Sequence, residues 1–446
     1  MRKFGLRRVG ALGCSWGLVL LISGCVSAAP PAQPGAQGVS AVASPYANDG
    51  LAATHGPRLA DIQGEPQIRV RVARNRPSVR VATGTAVTIR AAGAAPLRLP
   101  SPVSIERSSA VWRLTDARGG AFQFRGDRVD IDSSATGETM LDDGAYPGRL
   151  SLVSAANGGS GLDAINTVGM ETYLPGVLQR ELFPNWAPEA FRAQAVAARS
   201  YALWEVARSR SQGRGFDLES TTASQAYVGV ATNPRARDGV SATRGVVMAW
   251  DQRVLPAFYA SSHGPYGADG ATTFVGRVGD LPPLRAVAHG SRDANSPRFT
   301  WQASRGTTEL AQRVSAWGRA NKHAVANVVP PVRDVRVAGR NAVGRHTAYV
   351  VIDGQGRQFQ IASDALRHAA NHDAEGYPEI DRSNLLFSGQ FVPTMRGRHV
   401  LFLRGHGHGH GVGMSQYGAQ AMALQGHRYA DILATYYPGI ALVRAY

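Results

Sequence analysis

A single glutamate is predicted to lie on the apolar side of a helix. Glu181 follows Val177 by four residues and Leu178 by three, and a helix places residues at these spacings on one face. A carboxylate is costly in apolar surroundings unless it is paired, protonated or used in catalysis. Partial burial raises the pKa of a carboxyl group, which makes a general acid available near neutral pH. Glu181 is therefore the candidate catalytic acid; the alternative is a structural ion pair with Arg180 or Arg199.

Three histidines alternate with glycines near the C-terminal end of the sequence. In an extended chain His406, His408 and His410 point to one side, and neutral imidazoles at that spacing can bind a metal ion. No carboxylate or cysteine is evident that would complete the coordination shell, and alternating glycine suits a tight functional turn equally well. We therefore expect no metal and no cofactor, and we place a single histidine, His410, in a substrate groove.

Two further segments carry small hydroxyl side chains. Ser261 and Ser262 follow a strand-like run and can line a polar pocket, although the same residues are typical of a turn. Residues 413–418 nearly match the nucleophile motif of serine hydrolases, but the second glycine comes one position late. Because no Ser-His-Asp order accompanies this motif, a serine hydrolase is not expected. The sequence also has no phosphate-binding loop, dinucleotide fingerprint or zinc-knuckle spacing.

Two consecutive helices are predicted in this region, and Glu181 lies in the first of them. Residues 173–183 carry an apolar face that stops at a Phe-Pro pair, and a second helix, with an alanine-rich stripe, covers about 188–208. The other predicted elements are a helix at about 307–322, a strand at 399–404 and a helix at about 414–424.

The region before these helices is predicted to be rich in β-strands. Ile68, Val70 and Val72 alternate with arginines, and the same period of two recurs further along. Glycine, proline and aspartate break these runs into short strands. We therefore predict an α+β fold, in which a β-rich region at residues 66–165 is followed by a mixed α+β, catalytic-type domain at residues 166–446.

The N-terminus carries a predicted export signal and lipid attachment site. Four basic residues precede a short apolar run that ends at Cys25 in the sequence Ile-Ser-Gly-Cys, which looks like a bacterial lipobox. In such a motif the signal peptide, here residues 1–24, is removed and the cysteine is acylated. The alternative is an ordinary signal peptide with an incidental cysteine. Residues 25–65 are rich in Ala, Pro and Gly and are predicted to form a disordered tether.

Charge and cysteine content restrict the environment and the partners. The formal net charge is +16, and loss of residues 1–24 removes four basic groups and no acids, which leaves +12. This excess suits an envelope of anionic lipid and wall carboxylates, whereas an exported chain does not routinely meet nucleic acid. With Cys14 removed and Cys25 acylated, no disulfide can form. We expect a lipid-anchored envelope protein, on the outer membrane or in the periplasm if the cell has two membranes.

Three segments together resemble one protein family. The first, within residues 173–202, includes Tyr-Leu-Pro-Gly-Val, Arg-Glu-Leu and Ala-Gln-Ala-Val-Ala-Ala-Arg-Ser-Tyr-Ala; the second is Ser-Gln-Ala-Tyr-Val-Gly at 224–229. The third is Gly-His-Gly-Val-Gly-Met-Ser-Gln-Tyr-Gly-Ala at 409–419, followed by Tyr-Tyr-Pro-Gly at 436–439. Their order and spacing, over roughly residues 145–446, are similar to those of the stage II sporulation protein D and amidase-enhancer family.

This resemblance implies work on peptidoglycan. Sporulation protein D is similar to a lytic transglycosylase, which cleaves the bond between N-acetylmuramic acid and N-acetylglucosamine and leaves a 1,6-anhydro end. Such enzymes can work with one carboxyl group, and the family's catalytic glutamate aligns with Glu181. We expect the other candidates to line the groove and position the sugars, with His410 polarising a hydroxyl or acetamido group. The predicted substrate-binding residues are Arg199, Gln225, Ser261, Ser262, His410, Ser415 and Gln416.

The sequence departs from the family pattern near residue 263. Members often read Ser-Ser-Ser-Gly-Gly where this chain has Ser-Ser-His-Gly-Pro at 261–265, and some hold a structural zinc there through Cys and His. No cysteine is available here, so the zinc is not carried over and His263 has no evident partner ligands. Two other functions stay open: an enhancer that binds the wall and stimulates a separate cell-wall amidase, and a structural tether that grips glycan.

Overall fold

The computed structural model describes residues 52–446, apart from residues 93, 133–136 and 157–158. The predicted signal peptide, the lipidation site Cys25 and the predicted tether up to residue 51 lie outside the described residues. In the part of the chain that is described, no helix is long and apolar enough to cross a membrane.

Strands dominate the first part of the described chain, and helices and strands alternate in the rest. The first stretch consists of α1 (Ala52–His55), β1 (Gln67–Arg76), β2 (Ser78–Ala82), β3 (Ala86–Ala91), β4 (Leu97–Pro100), β5 (Val103–Ser108), β6 (Val111–Thr115), β7 (Ala121–Arg125), β8 (Arg128–Ile131), β9 (Glu138–Leu141), β10 (Gly144–Pro147), β11 (Arg149–Ser154) and β12 (Leu162–Gly169). The second consists of α2 (Met170–Glu181), α3 (Pro188–Ser211), β13 (Leu218–Glu219), α4 (Pro234–Ala242), β14 (Val246–Trp250), β15 (Arg253–Val254), β16 (Tyr259–Ala260) and α5 (Gly270–Thr273). The third consists of β17 (Thr300–Gly306), α6 (Thr307–Ala320), β18 (Asp334–Arg340), β19 (His346–Ile352), β20 (Gln358–Ala362), α7 (Ser363–Ala370), β21 (Val392–Arg396) and β22 (His399–His406). The last consists of β23 (Met414–Ser415), α8 (Gln416–Leu424), α9 (Tyr429–Tyr436) and β24 (Ala441–Arg444).

Two sheets pack against each other in the first stretch. A seven-stranded sheet has the order β13-β1-β12-β11-β8-β3-β4, and a six-stranded sheet has the order β10-β9-β2-β5-β6-β7. Alternate side chains of both sheets meet in one core, which includes Val81, Ile89, Val129 and the fully buried Trp112. The alternation in the sequence therefore reflects strands with one buried face, and the α+β class with its β-rich N-terminal region is confirmed.

The sandwich and the helical part share a sheet. Strand β12 crosses the predicted boundary at residue 165 and runs directly into α2, while β1 pairs antiparallel with β12 and parallel with β13. Ile68 and Val70 of β1 are buried in the helical core. Residues 52–65, predicted as the end of the tether, also fold onto this core, where Ile62 is buried. Folded structure is therefore already present before residue 66.

Helix α3 runs through the centre of the helical part. The stripe predicted on this helix is fully buried, as the exposures of Phe191, Ala195, Ala198 and Ala202 show. Small alanine side chains allow α2, α4, α8 and α9 to pack closely around it. This packing fixes the end of α2, and with it Glu181, beside the first turn of α8.

The third stretch forms a subdomain with its own core, built around residues such as Leu310, Tyr349 and Phe402. Its helix α6 and strand β22 correspond to the helix and strand predicted there. The chain then returns to the helical part, where β23 pairs in parallel with β16 and β24 pairs antiparallel with β14. This return brings α8, which matches the last predicted helix, next to α2.

Candidate active site

Glu181 is the last residue of α2. The backbone becomes extended at Leu182, so the helix ends and the carboxylate remains half-buried rather than enclosed. The Nε2 amide of Gln416 donates a hydrogen bond to Glu181 Oε2 at 3.0 Å, and the backbone N–H of Ala226 also donates to the carboxylate. Two neutral donors from separate segments of the chain therefore hold the carboxyl group.

The surroundings of Glu181 raise its pKa. Loss of water around the carboxylate is the largest effect, and it outweighs the hydrogen bonds from Gln416 and Ala226 and the charge of Arg180, all of which lower the pKa. A carboxyl group with a raised pKa retains its proton closer to neutral pH. Glu181 can therefore act as a general acid and, once ionised, as a base.

The ion pair considered for Glu181 forms elsewhere. Arg199 is fully buried and bonds Glu171, with Nε to Oε1 and Nη2 to Oε2 both at 2.8 Å. Other donors of Arg199 reach backbone carbonyls, among them Val246 O at 3.0 Å. The structure therefore does not favour the predicted groove role of Arg199, because its guanidinium has no exposed surface and its donors are used inside the core.

Gln225 joins two tyrosines that lie near Glu181. Its Nε2 donates to Tyr259 Oη and to Ala198 O, both at 3.1 Å, and its Oε1 accepts from Tyr173 Oη at 3.2 Å. Burial raises the pKa of both tyrosines, and the negative charge of Glu181 raises it further. Because Gln225 is only 1% exposed, it supports the site from inside and does not present its amide to a sugar.

A short parallel sheet sets Gln416 beside Ser261. Strands β16 and β23 pair side by side, and the backbone N–H of Tyr417 donates to Ser261 O at 3.1 Å. Ser415 caps α8, since its Oγ accepts from the N–H of Gly418 at 3.2 Å. Ser415 is fully buried, so it orients the start of α8 and does not touch a substrate. Ser261, in contrast, is half-buried, and its backbone bonds Tyr417, the residue after Gln416.

Asp293 ties the Ser261–Ser262 loop to the start of α8. Its Oδ2 accepts from Ser262 Oγ and Ser415 Oγ, both at 2.9 Å, and from the backbone N–H of His263 at 2.7 Å. Ser262 is buried by this contact, so the predicted groove role of Ser262 does not fit. Asp293 gives no signal in the sequence, because it lies in an irregular loop without periodicity or a motif.

The Gly-His run continues as an irregular, bent segment after β22 ends at His406. Gly407, Gly409, Gly411 and Gly413 have φ of 78°, 103°, 81° and 72°, in the left-handed region that favours glycine. A Cβ on Gly413 would lie 1.9 Å from Phe258 O, so the backbone also packs too closely for a side chain. The described residues contain no group of three or more His, Cys, Asp or Glu placed to hold a metal ion.

His410 is held by the backbone in its neutral form. Its Nδ1 accepts from the N–H of Val412 at 3.0 Å, and the ring also bonds the backbone of Tyr259. The rings of Phe258 and Phe274 pack edge-on against it, with centroids 6.0 Å and 5.0 Å away. Burial lowers the pKa of His410 to about 4. These contacts make His410 a structural residue of the loop and do not favour a role in polarising the substrate.

His263, where the sequence departs from the family pattern, occupies a buried position in the core. The rings of His263 and His289 lie 5.0 Å apart between centroids, and the ring of Tyr436 packs near both. Burial lowers the pKa of His263 well below its usual range and that of His289 to about 4. Both imidazoles are therefore neutral at physiological pH.

Three aromatic side chains stand beside the carboxyl site. Phe183, Trp186 and Tyr417, here called the aromatic shelf, pack with ring centroids 5.6, 6.2 and 5.1 Å apart. Phe183 is 43% exposed and Trp186 only 8%, while Tyr417 directly follows Gln416. The aromatic shelf is not evident from the sequence, because Phe183 there indicates only the end of a helix.

Comparison with known proteins agrees with the motifs. Residues 158–250, which include Glu181, match the sequence model of the family described as Stage II sporulation protein. The resemblance to this family is confirmed. The chain is 25% identical to stage II sporulation protein D of Bacillus amyloliquefaciens over 299 residues, which cover 63% of this chain and 76% of that protein. It is 23% identical to stage II sporulation protein D of Bacillus subtilis (strain 168) over 334 residues, or 72% and 88% of the two chains.

A third relative carries a different name. The chain is 27% identical over 297 residues to the amidase enhancer of Bacillus subtilis (strain 168). That match covers 60% of this chain but only 40% of the enhancer. The chain therefore spans less than half the length of this relative, and the similarity to stage II sporulation protein D covers a larger share of both chains.

Proposed function

We propose that this chain works on the bacterial cell wall as a lytic transglycosylase, which cleaves the bond between N-acetylmuramic acid and N-acetylglucosamine. The observation that carries the proposal is the half-buried Glu181, whose pKa is raised and whose hydrogen-bond partners are neutral donors. The match of residues 158–250 to the stage II sporulation protein family supports it, because that segment contains this glutamate.

In the proposed reaction one carboxyl group serves twice. Protonated Glu181 gives its proton to the glycosidic oxygen while the bond from this oxygen to C1 of the muramic acid sugar breaks. The resulting carboxylate takes the proton of the 6-hydroxyl of the same sugar, whose oxygen forms the new bond to C1. The products are a free 4-hydroxyl and a 1,6-anhydro end, and Glu181 is protonated again. No water is consumed, in contrast to hydrolases that use two carboxylates.

Gln416 positions this carboxyl group in both protonation states. Its Nε2 donates to Glu181 Oε2, an oxygen that can accept whether or not the group is ionised. Of the residues predicted to bind sugar, Ser261 keeps partial exposure beside Gln416. Ser261 is therefore our candidate for a direct contact with the substrate.

The test is a product analysis by mass spectrometry. The purified protein is incubated with intact peptidoglycan and with peptide-stripped glycan, next to the variants Glu181→Gln and Glu106→Gln. Glu106 is an exposed glutamate of β5 and serves as the matched control. We expect new 1,6-anhydro-muramyl ends from the wild type and from Glu106→Gln but not from Glu181→Gln. New reducing ends would instead indicate hydrolysis and a second catalytic group.

The second candidate function is that of a non-catalytic enhancer of a cell-wall amidase. The specific observation that favours it is the similarity to a protein named amidase enhancer. An enhancer would bind glycan, release no anhydro ends and increase the rate of an added amidase. Glu181→Gln would then leave the stimulation unchanged, whereas it abolishes product formation by a transglycosylase.

We further propose that the protein is exported and held at the envelope by an acyl chain on Cys25. The support is the lipobox-like sequence and the basic residues before it. Cell fractionation tests this: Cys25→Ala should move the protein out of the membrane fraction. Retention of the Cys25→Ala variant in washed membranes would contradict the lipid anchor.

A further inference from the structure

Phe183 follows Glu181 by two residues, just beyond the end of α2. The backbone is extended at Leu182, with φ of −119° and ψ of 150°, so the chain leaves the helix at this residue. Leu182 is 5% exposed and packs in the helical core, while Phe183 is 43% exposed. The Phe183 ring therefore stands on the surface, two residues along the chain from the carboxyl group.

The other two rings of the aromatic shelf approach from the turn after α2 and from α8. The backbone N–H of Trp186 donates to Phe183 O at 3.1 Å, which closes the turn between them. The N–H of Ala187 donates to Gln420 Oε1 at 2.8 Å and ties this turn to α8. Tyr417 lies one residue after Gln416 and meets Trp186 edge-on. The shelf is thus fixed to the same two elements that hold Glu181.

An exposed aromatic ring beside a catalytic carboxyl group has a clear use in glycan recognition. Part of the Phe183 ring is exposed to water, while the ring packs against Trp186 and Tyr417, so its exposed part offers a fixed, flat apolar surface to a ligand. A pyranose presents a row of C–H bonds on one face, and flat aromatic side chains pack well against such a face.

We propose that the aromatic shelf binds the apolar face of the sugar ring next to the scissile bond, with Phe183 as the exposed contact and Trp186 and Tyr417 as its support. This inference rests on the proposed action on glycan and specifies where the sugar lies. Packing of the sugar on Phe183 orients the glycosidic oxygen toward Glu181, which lies two residues away along the chain.

The experiment measures binding of peptide-stripped glycan fragments to the full-length protein in the Glu181→Gln background, so that no cleavage occurs. Phe183→Ala should weaken binding by roughly three- to tenfold, the effect expected for loss of one aromatic packing partner. Phe183→Tyr keeps the ring and should bind like the parent. Phe122→Ala is the matched control, because Phe122 is 37% exposed on the edge strand β7 of the sandwich.

The results separate the shelf from the proposed function. If Phe183→Ala binds glycan more weakly while Phe183→Tyr and Phe122→Ala bind like the parent, the result supports sugar binding by the aromatic shelf. If the parent protein binds glycan and Phe183→Ala binds it equally well, the proposal that the aromatic shelf binds the sugar is overturned. The proposed action on glycan would then still stand. A parent protein that binds no glycan would overturn both. Circular dichroism of each variant verifies that the fold is retained.

Discussion

The two ends of helix α2 carry glutamates with opposite properties. Burial alone would raise the pKa of Glu171, but the hydrogen bonds and charge of Arg199, together with Tyr446 and the N–H of Gly245, lower it. At the other end of the helix, burial raises the pKa of Glu181, and the hydrogen bonds from Gln416 and Ala226 are too weak to reverse the shift. The two side chains are one chemical group in two environments.

The comparison of Glu171 with Glu181 shows that the partner, and not burial, decides what a buried carboxyl group does. A guanidinium in a bidentate pair holds the carboxyl group in its charged form, and the pair then serves a structural role. Neutral donors fix the position of the group and leave its proton available. The helix adds to the contrast, since its N-terminal end favours a negative charge and its C-terminal end disfavours one.

The largest expected effect comes from Glu181→Gln. The amide keeps the size of the side chain but cannot give a proton, so product formation should fall by roughly 10²–10⁴-fold, the usual contribution of general acid catalysis. Release of 1,6-anhydro ends per unit time measures this. A variant with more than a tenth of wild-type activity would show that Glu181 is not the acid.

Substitution at the other end of α2 should act on stability instead. Glu171→Gln leaves the guanidinium of Arg199 buried without its charged partner, which costs about 3–5 kcal/mol of unfolding free energy. Urea unfolding followed by fluorescence measures this change. A loss below about 1 kcal/mol would mean that the pair at this end of the helix is not structural.

The pH dependence of stability should separate the two glutamates more finely. The pKa of Glu171 is lowered from 4.5, so its contribution is present above that value and is lost as pH falls through the folded-state pKa. The pKa of Glu181 is raised from 4.5, so stability is lost as pH rises through its folded-state pKa. Unfolding temperatures at pH 4 and pH 7 test both signs.

For Glu181→Gln we expect a gain in unfolding temperature at pH 7 that shrinks towards pH 4. For Glu171→Gln we expect a loss at pH 7 that shrinks in acid. Parallel curves for the two variants would contradict the contrast between the two ends of α2.

The smallest effect is expected from Gln416→Ala. The hydrogen bond from Gln416 lowers the pKa of Glu181, so its removal should raise that pKa and move the alkaline limb of the activity profile to higher pH. Gln420→Ala on the same helix is the control, because Gln420 bonds the Ala187 backbone and not the carboxylate. If the alkaline limb shifts equally in both variants, the effect comes from a change in α8 as a whole and not from the hydrogen bond of Gln416.

The sequence predicts the framework of the site better than its contacts. The apolar spacing around Glu181 and the Phe-Pro stop locate the end of α2, and the motif near residue 414 locates α8, because both follow from local periodicity. The partner of Arg199 could not be predicted in this way. Glu171 and Arg199 lie 28 residues apart on different helices, and only the packing of α2 against α3 brings them together.

The roles of His410 and Asp293 depend on long-range contacts in a different manner. The alternation of Gly and His is compatible with an extended chain, and only the positive φ values of the glycines show that the run turns at each step. Asp293 meets Ser415 across 122 residues, and a lone aspartate in a loop gives no sequence signal of this contact. The irregular segments around the site were therefore the least predictable part.

The pairing of β24 with β14 has a consequence for the folding kinetics of the chain. Strand β24 joins β14 only after the whole subdomain of β17 to β22 has been passed, so this pairing links residues that lie far apart in the sequence. Contacts between such distant residues form slowly. Folding of the helical part should therefore be completed late, after the C-terminal strand has been synthesised.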